Sequence, residues 1–232
     1  MASKLANKTL FVTGACGGLG SSLVLALCKA GADVIISDKN PRSLDIMCDK
    51  IIEQGGKEPI VYPMDLLGAT PNDFIKLANT IEEKIGRLDG LIHVAAEFSG
   101  LTEFAHYEAT RWLKEMQINV NSPIFLTQAL IPLLKQSKGS IIFTLENLDT
   151  VSKAYWGAYG TAKAALKHFA NTLKEELEDA QIAVNTITPV PMKTQLRARA
   201  WPAESDTHLS MPDEVVAEYL NIIESNTSFH AN

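Results

Sequence analysis

The sequence predicts an α/β fold in which six parallel strands form a doubly wound sheet with helices on both faces. Two observations lead to this prediction. Six short runs are rich in valine and isoleucine and almost continuously apolar, as are strands buried on both faces of a parallel sheet. Longer segments with helical periodicity separate these runs, and such a β-α-β alternation requires right-handed crossover connections.

The predicted strands and helices alternate along the whole chain. We place the strands at 9–14, 32–38, 59–65, 88–96, 139–145 and 182–189. We place the helices near 19–30, 41–54, 71–85, 104–116, 120–137, 155–180 and 212–224. Pro41 and Pro71 suit the first turn of a helix, where an N–H group has no intrahelical partner, and Gly31 and Gly55 suit helix ends.

The domain organisation is predicted to be simple. Residues 1–232 form one domain, because this length suits a single core and no repeat or linker interrupts the pattern. The longest irregular segment runs from 190 to 211 and is broken by prolines. Ligands bind beyond the carboxyl ends of parallel strands, so we expect 190–211 to be a substrate lid.

Composition and charge argue against several classes of function. The net charge is −6, whereas binding to nucleic acid or to an anionic membrane requires a basic face. The three cysteines are scattered and the five histidines lie far apart, so we expect neither a disulfide framework nor a metal site. No secretory signal or membrane-spanning run is recognisable, and we expect a cytoplasmic protein.

A glycine-rich turn follows the first predicted strand and leads directly into a helix. In "TGACGGLG", Gly14, Gly18 and Gly20 allow a tight turn, and the backbone of Gly18, Leu19 and Gly20 can approach a ligand closely. The helix N-terminus supplies unpaired N–H groups and a positive dipole end. This order predicts a dinucleotide site, a Rossmann arrangement, although glycines of this kind also simply connect strands to helices.

Two aspartates end the second and third predicted strands. Asp38 can accept hydrogen bonds from an adenosine ribose and would repel a 2′-phosphate, which predicts NAD in preference to NADP. Lys39 and Arg42 lie close by and weaken that inference, and Asp38 is also compatible with a solvated turn. Asp65 is predicted to bind the adenine edge.

With these residues identified, the chain resembles the short-chain dehydrogenase/reductase family over about residues 5–225. The ordered set consists of "TGACGGLG", Asp38, Asp65, Asn119 in "QINVNS", "YGTAK" and Thr194 after "NTITPVPMK". A lone Tyr-x-x-x-Lys pair is weak evidence, so the order of the motifs carries the resemblance. The segments "WGAYGTAK" and "RARAWPAESD" resemble the YciK-type bacterial oxidoreductases.

The resemblance implies a redox enzyme in which Tyr159 exchanges a proton with an alcohol or carbonyl substrate. Tyr159 and Lys163 lie four residues apart on one helix face, and the ammonium is expected to lower the phenol pKa from its usual value near 10. By resemblance, Lys163 also holds the nicotinamide ribose, Asn119 anchors a water relay and Thr194 bonds the nicotinamide carboxamide. Tyr159 could instead be a core aromatic, and Asn119 a helix-start residue.

Glu146 departs from the family pattern. Thirteen residues before the tyrosine, the family usually has a serine. The hydroxyl of that serine donates a hydrogen bond to the substrate oxygen. An ionised carboxylate only accepts hydrogen bonds, and losing such a donor costs on the order of 3 kcal/mol in the transition state. Glu146 could be protonated, could bind a cationic or hydroxyl-rich substrate, could be replaced by Thr144 or Asn147, or could simply face water and weaken the site.

Further departures concern the cofactor wall and the assembly. "Val94-Ala95-Ala96" replaces the usual Asn-Ala-Gly, although Ala95 is kept and the cofactor could still fit. The family's last strand is missing or short, which makes its tetramer doubtful and leaves a homodimer through the 120–137 and 155–180 helices as the expectation. The sequence therefore predicts an NAD-linked oxidoreductase, or alternatively an NAD-binding pseudoenzyme that senses or scaffolds.

Overall fold

The six strands form one parallel sheet in the order β3-β2-β1-β4-β5-β6 in the computed structural model, which describes residues 5–228. The strands are β1 (Thr9–Thr13), β2 (Asp33–Ser37), β3 (Ile60–Val61), β4 (Gly90–His93), β5 (Ser140–Thr144) and β6 (Ala183–Ile187). Each neighbouring pair is parallel. The predicted doubly wound sheet is confirmed, and residues 5–228 contain no seventh strand.

Helices cover both faces of the sheet. They are α1 (Gly18–Lys29), α2 (Pro41–Glu53), α3 (Pro71–Lys84), α4 (Ala109–Met116), α5 (Ser122–Ser137), α6 (Leu148–Val151), α7 (Gly157–Glu176), α8 (Gln195–Ala200) and α9 (Pro212–Ser228). Apolar side chains of α1, α2 and α9 share one buried cluster, and those of α3, α5 and α7 share another. The two clusters form the two halves of the core, one on each side of the sheet.

Successive strand residues supply the two clusters in turn, because neighbouring side chains on a strand point to opposite faces. In β1, Leu10 and Val12 contact the α1 side, whereas Phe11 contacts the α5 side. In β5, Ile142 contacts the α1 side and Ile141 contacts the α5 side. This two-sided burial explains why the strands read as continuous apolar runs rather than as alternating ones.

The structure differs from the predicted elements at three places. The third strand is only Ile60–Val61 and not 59–65, although the Tyr62 and Met64 N–H groups still donate to carbonyl oxygens at the end of β2 and just after it. The predicted helix at 104–116 divides into a single 3₁₀ turn, Phe104–His106, and α4. The short helices α6 and α8 lie in segments for which we predicted no helix. Within residues 5–228 no helix is both long and apolar enough to cross a membrane.

The sheet order places a ligand cleft at a defined position. The chain passes from β1 outward to β3 on one side and, after α3, returns to β4 on the other side of β1. At such a reversal the loops after β1 and β4 separate and leave a crevice at the carboxyl ends of the strands. The glycine turn, residues 14–20, follows β1 at this point.

Candidate active site

A cleft of about 640 Å³ opens at the carboxyl ends of the strands. Its walls come from the segments that follow β1, β2, β4, β5 and β6, together with α7 and α8. All the predicted site residues except Asn119 line it: Gly14, Gly18, Leu19, Gly20, Asp38, Asp65, Ala95, Glu146, Tyr159, Lys163 and Thr194. The fold therefore gathers into one cleft side chains that lie up to 180 residues apart in the sequence.

The glycine turn is packed too tightly for side chains. Gly14 has a φ of +67°, and a Cβ atom there would lie 2.7 Å from the Ala95 Cα atom. A Cβ atom on Gly20 would lie 2.0 Å from the Gly14 carbonyl oxygen. The N–H groups of Gly18 and Leu19 lie in the first turn of α1, which has no intrahelical acceptors for them. The turn therefore presents backbone N–H groups to the cleft, as an anion site requires.

Asp38 and Asp65 lie in the part of the cleft formed after β2 and β3, on the other side of β1 from Tyr159. Asp38 is partly buried, and its two carboxylate oxygens accept hydrogen bonds from the backbone N–H groups of Cys16 (3.1 Å) and Lys39 (2.8 Å). Asp65 is exposed and accepts from the Leu67 N–H at 3.1 Å. Asp38 is thus fixed against the glycine turn, and part of its hydrogen-bonding capacity is already used.

The end of β4 is tied to β1 by a threonine. The Thr13 hydroxyl oxygen accepts hydrogen bonds from the N–H groups of Val94 (3.2 Å) and Ala95 (3.3 Å). This pair of bonds links the two strands without the asparagine that the family has at position 94. Ala95 packs against Gly14, so this wall of the cleft is made mainly of backbone.

Asn119 is buried beside the cleft and does not line it. It lies in a π-helical turn, Gln117–Asn121, between α4 and α5. Its amide donates to the Glu97 carbonyl oxygen at 2.7 Å and accepts from the Glu97 N–H at 2.9 Å. The side chain therefore fixes the backbone of the loop after β4. Single π-helical turns inside helices are frequent at functional sites.

Tyr159 and Lys163 occupy the floor of the cleft on successive turns of α7. Tyr159 is 2% exposed and Lys163 is 3% exposed. The Lys163 Nζ atom lies 5.6 Å from the centre of the Tyr159 ring and donates a hydrogen bond to the Thr144 carbonyl oxygen at 2.8 Å. A Cβ atom on Gly160 would lie 2.1 Å from the Val151 carbonyl oxygen, so this glycine lets α7 pack closely against α6.

Comparison with known proteins identifies the family. A family model described as short chain dehydrogenase matches residues 8–205. The chain belongs to the short-chain dehydrogenase family. The resemblance inferred from the glycine turn, Asp38, Asn119 and the Tyr159–Lys163 pair is thereby confirmed.

Several relatives of this short-chain dehydrogenase are similar over nearly its full length. The uncharacterized oxidoreductase YciK of Escherichia coli is 33% identical over 217 residues, which cover 93% of this chain and 86% of YciK. A short-chain dehydrogenase of Shigella flexneri 2a solved in complex with NADP is 32% identical, with a TM-score of 0.91 over 96% of this chain and 93% of that one. One from E. coli CFT073 in complex with NADPH is also 32% identical, with a TM-score of 0.92 over 98% and 95% of the two chains. The relatives are named oxidoreductases or short-chain dehydrogenases, and this chain is an enzyme of the same family.

The phenol of Tyr159 does not have the lowered pKa that its spacing from Lys163 predicts. Burial raises the pKa of Tyr159, and the negative charges of Glu146 and Glu115 raise it further. The expectation of a phenol made acidic by Lys163 is therefore wrong. At neutral pH Tyr159 is a neutral hydroxyl, which can donate a proton to a substrate oxygen.

Lys163 is affected by the same surroundings in the opposite sense. Burial lowers the pKa of its ammonium from 10.5 to about 8, while the charge of Glu146 acts to raise it. Glu146 thus favours the charged form of Lys163 and disfavours the ionised form of Tyr159. A carboxylate that affects both groups in this way lies close to the reacting end of the site.

Glu146 is half-buried in the cleft wall, with one carboxylate oxygen accepting a hydrogen bond from the Asn147 N–H at 3.2 Å. The two residues that could replace the missing serine are engaged elsewhere. The Thr144 hydroxyl is hydrogen-bonded to the Tyr219 hydroxyl at 2.9 Å. The Asn147 side chain accepts from the Asp149 N–H at the start of α6. Of these two residues, Thr144 lines the cleft and Asn147 is not among its lining residues.

The segment 190–211 lies over the cleft and contains α8. Thr194 begins this helix, because its hydroxyl accepts from the Arg197 N–H at 3.1 Å, and its methyl group packs against Gly18. Arg199 donates a hydrogen bond to the Phe98 carbonyl oxygen, and the Trp201 ring lies 5.1 Å from that of Trp156. These contacts join the segment to the loop after β4 and to the start of α7.

Sequence reasoning missed several residues that surround Lys163 and Tyr159. His93 is buried, and its ring stacks on that of Phe143 with 4.9 Å between the ring centres. It shares a 2.9 Å hydrogen bond with Thr127. Burial lowers the pKa of His93 to about 3, and the charge of Lys163 contributes a smaller part of that change. The only signal in the sequence is a histidine at the end of a hydrophobic strand. Glu115 was also missed, although a glutamate on the apolar face of a helix is a recognisable irregularity.

No group of three or more acidic, histidine or cysteine side chains in the described part of the chain could hold a metal ion.

Proposed function

We propose that this protein transfers a hydride between a nicotinamide dinucleotide and an alcohol or carbonyl carbon, with Tyr159 as the proton donor or acceptor. One observation carries the proposal. Tyr159 and Lys163 lie side by side on the floor of the same cleft whose other end is the glycine turn. A buried phenol at that place can protonate a substrate oxygen in a site from which bulk water is largely excluded.

The residues present fit a dinucleotide. Unpaired N–H groups at the start of α1 suit a pyrophosphate, and the carboxylates of Asp38 and Asp65 suit the hydroxyl and amine donors of an adenosine. Side chains on Gly14 or Gly20 would clash with backbone, so the turn keeps the space that a closely bound phosphate needs. When bound, the nicotinamide supplies or accepts the hydride.

Each side chain then has a distinct task. Tyr159 gives its proton to the developing alkoxide during carbonyl reduction and takes one during alcohol oxidation. The ammonium of Lys163, held by the Thr144 carbonyl oxygen, stabilises the phenolate that reduction leaves behind and binds the nicotinamide ribose. Asn119 keeps the loop after β4 in place through Glu97. Thr194 lies where it can contact the nicotinamide carboxamide, although its hydroxyl oxygen also begins α8.

The choice between NAD and NADP is a separate part of the proposal. The sequence favours NAD because of Asp38, whereas the two structural relatives described above were solved with NADP and NADPH. The Asp38 carboxylate already accepts two backbone hydrogen bonds, and the exposed Lys39 follows it directly. We infer that the site accepts NADP(H) as well as NAD(H), and that Lys39 meets the 2′-phosphate.

Calorimetric titration of NADH and NADPH tests this inference. Lys39→Ala should weaken NADPH binding by about tenfold and leave NADH binding unchanged, because it removes one charge partner of the phosphate. Asp38→Asn should strengthen NADPH binding relative to NADH. Equal effects of Lys39→Ala on the two cofactors would show that Lys39 does not contact the 2′-phosphate.

A second candidate function follows from Glu146. Its carboxylate lies in the cleft wall and adds to the rise in the pKa of Tyr159 that burial causes, and the Thr144 hydroxyl, which also lines the cleft, is bonded to Tyr219. A protein that binds the dinucleotide but turns over slowly or not at all, and that serves as a sensor or scaffold, would also have these features. Glu146→Ser separates the two: it should raise the turnover of simple ketones by about a hundredfold if only the donor is missing. A fall in turnover would instead show that Glu146 binds the substrate.

The main proposal is tested by a screen of alcohols, aldehydes and ketones for oxidation or reduction of the nicotinamide, with wild type and Tyr159→Phe. Removal of the general acid should reduce kcat by about 10²–10⁴-fold. The Kd of the dinucleotide should not change, because the phenol hydroxyl is not part of the phosphate or adenosine end. Turnover that is equal in the two proteins would overturn the role of Tyr159.

Two further expectations stay predictions. Helix α5 directs most of its large apolar residues into the core, and Phe125 and Ile124 stay partly exposed. A homodimer through α5 and α7 is therefore compatible with the fold. The apolar surface that α5 leaves exposed is too small to require such a dimer. Residence in the cytoplasm follows only from the composition and is tested by fractionation.

A further inference from the structure

A fully buried carboxylate lies behind the catalytic helix and has no part in the proposed chemistry. Glu115, on α4, is 0% exposed. Its Oε1 atom accepts hydrogen bonds from the Ser99 N–H and from the Tyr107 hydroxyl, both at 2.9 Å. Its Oε2 atom is buried and has no hydrogen-bond partner within residues 5–228. A carboxylate in such surroundings is costly, so a packing role alone explains it poorly.

Tyr107 connects this carboxylate to the first turn of α7. A Cβ atom on Gly157 would lie 2.6 Å from the Tyr107 Cε2 atom, so the ring packs directly against the helix start. The first N–H groups of α7 have no intrahelical acceptors, and Trp156 at the N-cap provides no side-chain bond. The position of this turn therefore depends on its packing against the Tyr107 ring, which the hydrogen bond to Glu115 holds in place.

Tyr107 remains protonated, which its hydrogen bond to Glu115 requires. Burial raises the pKa of Tyr107 to about 12, and the hydrogen bond to Glu115 adds to the effect. Tyr107 consequently stays neutral and donates its hydroxyl proton to Glu115. The Arg111 guanidinium lies 5.3 Å from the centre of the Tyr107 ring and limits its movement on the outer side.

The second bond of Glu115 reaches the other side of Tyr159. Ser99, whose N–H it accepts, follows Phe98, and the Phe98 ring meets the Tyr159 ring edge-on at 5.2 Å between centres. Arg111 also donates to the Ser99 carbonyl oxygen at 2.6 Å. One carboxylate thus fixes both the helix turn that carries Tyr159 and the loop that packs against its ring.

We propose that Glu115, acting through Tyr107 and Ser99, is a positioning residue that holds the Tyr159 hydroxyl in place for proton transfer. The inference rests on the proposed function only in its last step, the proton transfer. The position of the first turn of α7 can be measured without any substrate. The experiment therefore has two independent readouts.

The first readout is amide hydrogen exchange in the peptide that spans 155–163. Tyr107→Phe keeps the ring and removes the hydroxyl, so the ring loses its bond to Glu115 and is held less firmly against Gly157. Exchange in the first turn of α7 should become about tenfold faster, the factor that corresponds to the loss of one hydrogen bond. Tyr155→Phe is the matched control: Tyr155 is exposed and close in sequence, and its variant should exchange as wild type does.

The second readout is the division of the kinetic effect between kcat and KM. A small displacement of an acid can cost about a hundredfold in rate, so Tyr107→Phe and Glu115→Ala should lower kcat by about 10- to 100-fold while the dinucleotide Kd stays unchanged. Glu115→Gln keeps an oxygen that can accept from Tyr107 and should retain most of kcat. Glu108→Gln, exposed and placed just before α4, is its control.

The outcomes separate this inference from the proposed function. Wild-type exchange in Tyr107→Phe overturns the positioning role, whatever the activity. Faster exchange with an unchanged kcat also overturns it, since proton transfer then does not depend on the position of the turn. If wild type turns over no substrate, the proposed function fails while the exchange data still decide whether Tyr107 fixes the helix. Should Tyr107→Phe not fold, Glu115→Ala against Glu115→Gln gives the same comparison.

Discussion

Replacing Lys163 with methionine is expected to stabilise the folded protein at pH 7 while abolishing the proposed activity. Lys163 is buried, and burial lowers the pKa of its ammonium from 10.5 to about 8. A difference of one in pKa corresponds to about 1.4 kcal/mol, so holding the charged group in the fold costs about 3 kcal/mol at neutral pH. The variant loses the hydrogen bond to the Thr144 carbonyl oxygen, worth about 1–2 kcal/mol, which leaves a net gain of about 1–2 kcal/mol.

The pH dependence of this difference has a defined sign. The unfolded chain binds the Lys163 proton more tightly than the folded protein does, so between pH 8 and pH 10.5 the unfolded state holds more protons and stability rises with pH. Below about pH 8 both states are protonated and the full cost is present. The advantage of the methionine variant over wild type should therefore shrink by about 2–3 kcal/mol between pH 7 and pH 10.

Urea unfolding of wild type and Lys163→Met at pH 7, 8, 9 and 10 measures both effects. Lys167→Met, an exposed lysine on the same helix, is the matched control and should differ from wild type by no more than about 0.5 kcal/mol at every pH. The reasoning is refuted if the Lys163 variant is less stable than wild type at pH 7 and the difference between the two does not change with pH.

Three other substitutions test separate parts of the fold. Gly20→Ala places a Cβ atom 2.0 Å from a backbone carbonyl oxygen of the glycine turn; calorimetry should show no dinucleotide binding, and urea unfolding a loss of about 2–3 kcal/mol. Tyr219→Phe removes the hydrogen bond to Thr144 and should cost about 1 kcal/mol without altering the dinucleotide Kd. Asp89→Asn removes a buried carboxylate that pairs with the half-exposed Arg87 and should cost about 2 kcal/mol at pH 7. Burial acts to raise the pKa of Asp89, but its hydrogen bonds lower it below 3.8, so the advantage of wild type over the variant should disappear as the pH falls from 3.8 through the folded-state pKa. A difference that persists in strong acid would contradict this.

The doubly wound sheet and the position of the cleft were predictable from the sequence because they depend on local patterns. Continuous apolar runs indicate strands buried on both faces, and the run that ends at Gly14 leads directly into a helix. Such a pattern leaves few alternatives to a doubly wound parallel sheet, and the glycine turn then marks the point where a ligand binds. The third strand was predicted too long, because apolar composition does not show that this strand lies at the edge of the sheet.

The electrostatics of the site could not be predicted from spacing. The spacing of four positions from Tyr159 to Lys163 places the two groups on one helix face, but it does not reveal that both are buried. Burial raises the phenol pKa, and Glu146 and Glu115 add to that effect from two other segments of the chain. The sign of the shift is decided by contacts across the fold, which a local motif does not contain.

The supporting network around Tyr159 was invisible for the same reason. The hydroxyls of Thr144 and Tyr219 lie 75 residues apart in the chain, and Gly157 is 50 residues from the Tyr107 ring that packs against it. The sequence contains the residues but no periodicity that pairs them. Glu115 was the one accessible signal, since a charged residue among the buried positions of a helix requires a partner.

The central claim is that hydride passes within this cleft between a nicotinamide and a carbonyl carbon that Tyr159 protonates. Mass spectrometry of the alcohol formed from a ketone substrate, with the reduced cofactor deuterated at one or the other C4 position, tests it most directly. We predict that wild type transfers deuterium to the product from one of the two labelled cofactors and that Tyr159→Phe, which should still bind the dinucleotide, transfers almost none. Product that contains no deuterium from either cofactor, or equal transfer by the phenylalanine variant, would contradict the account.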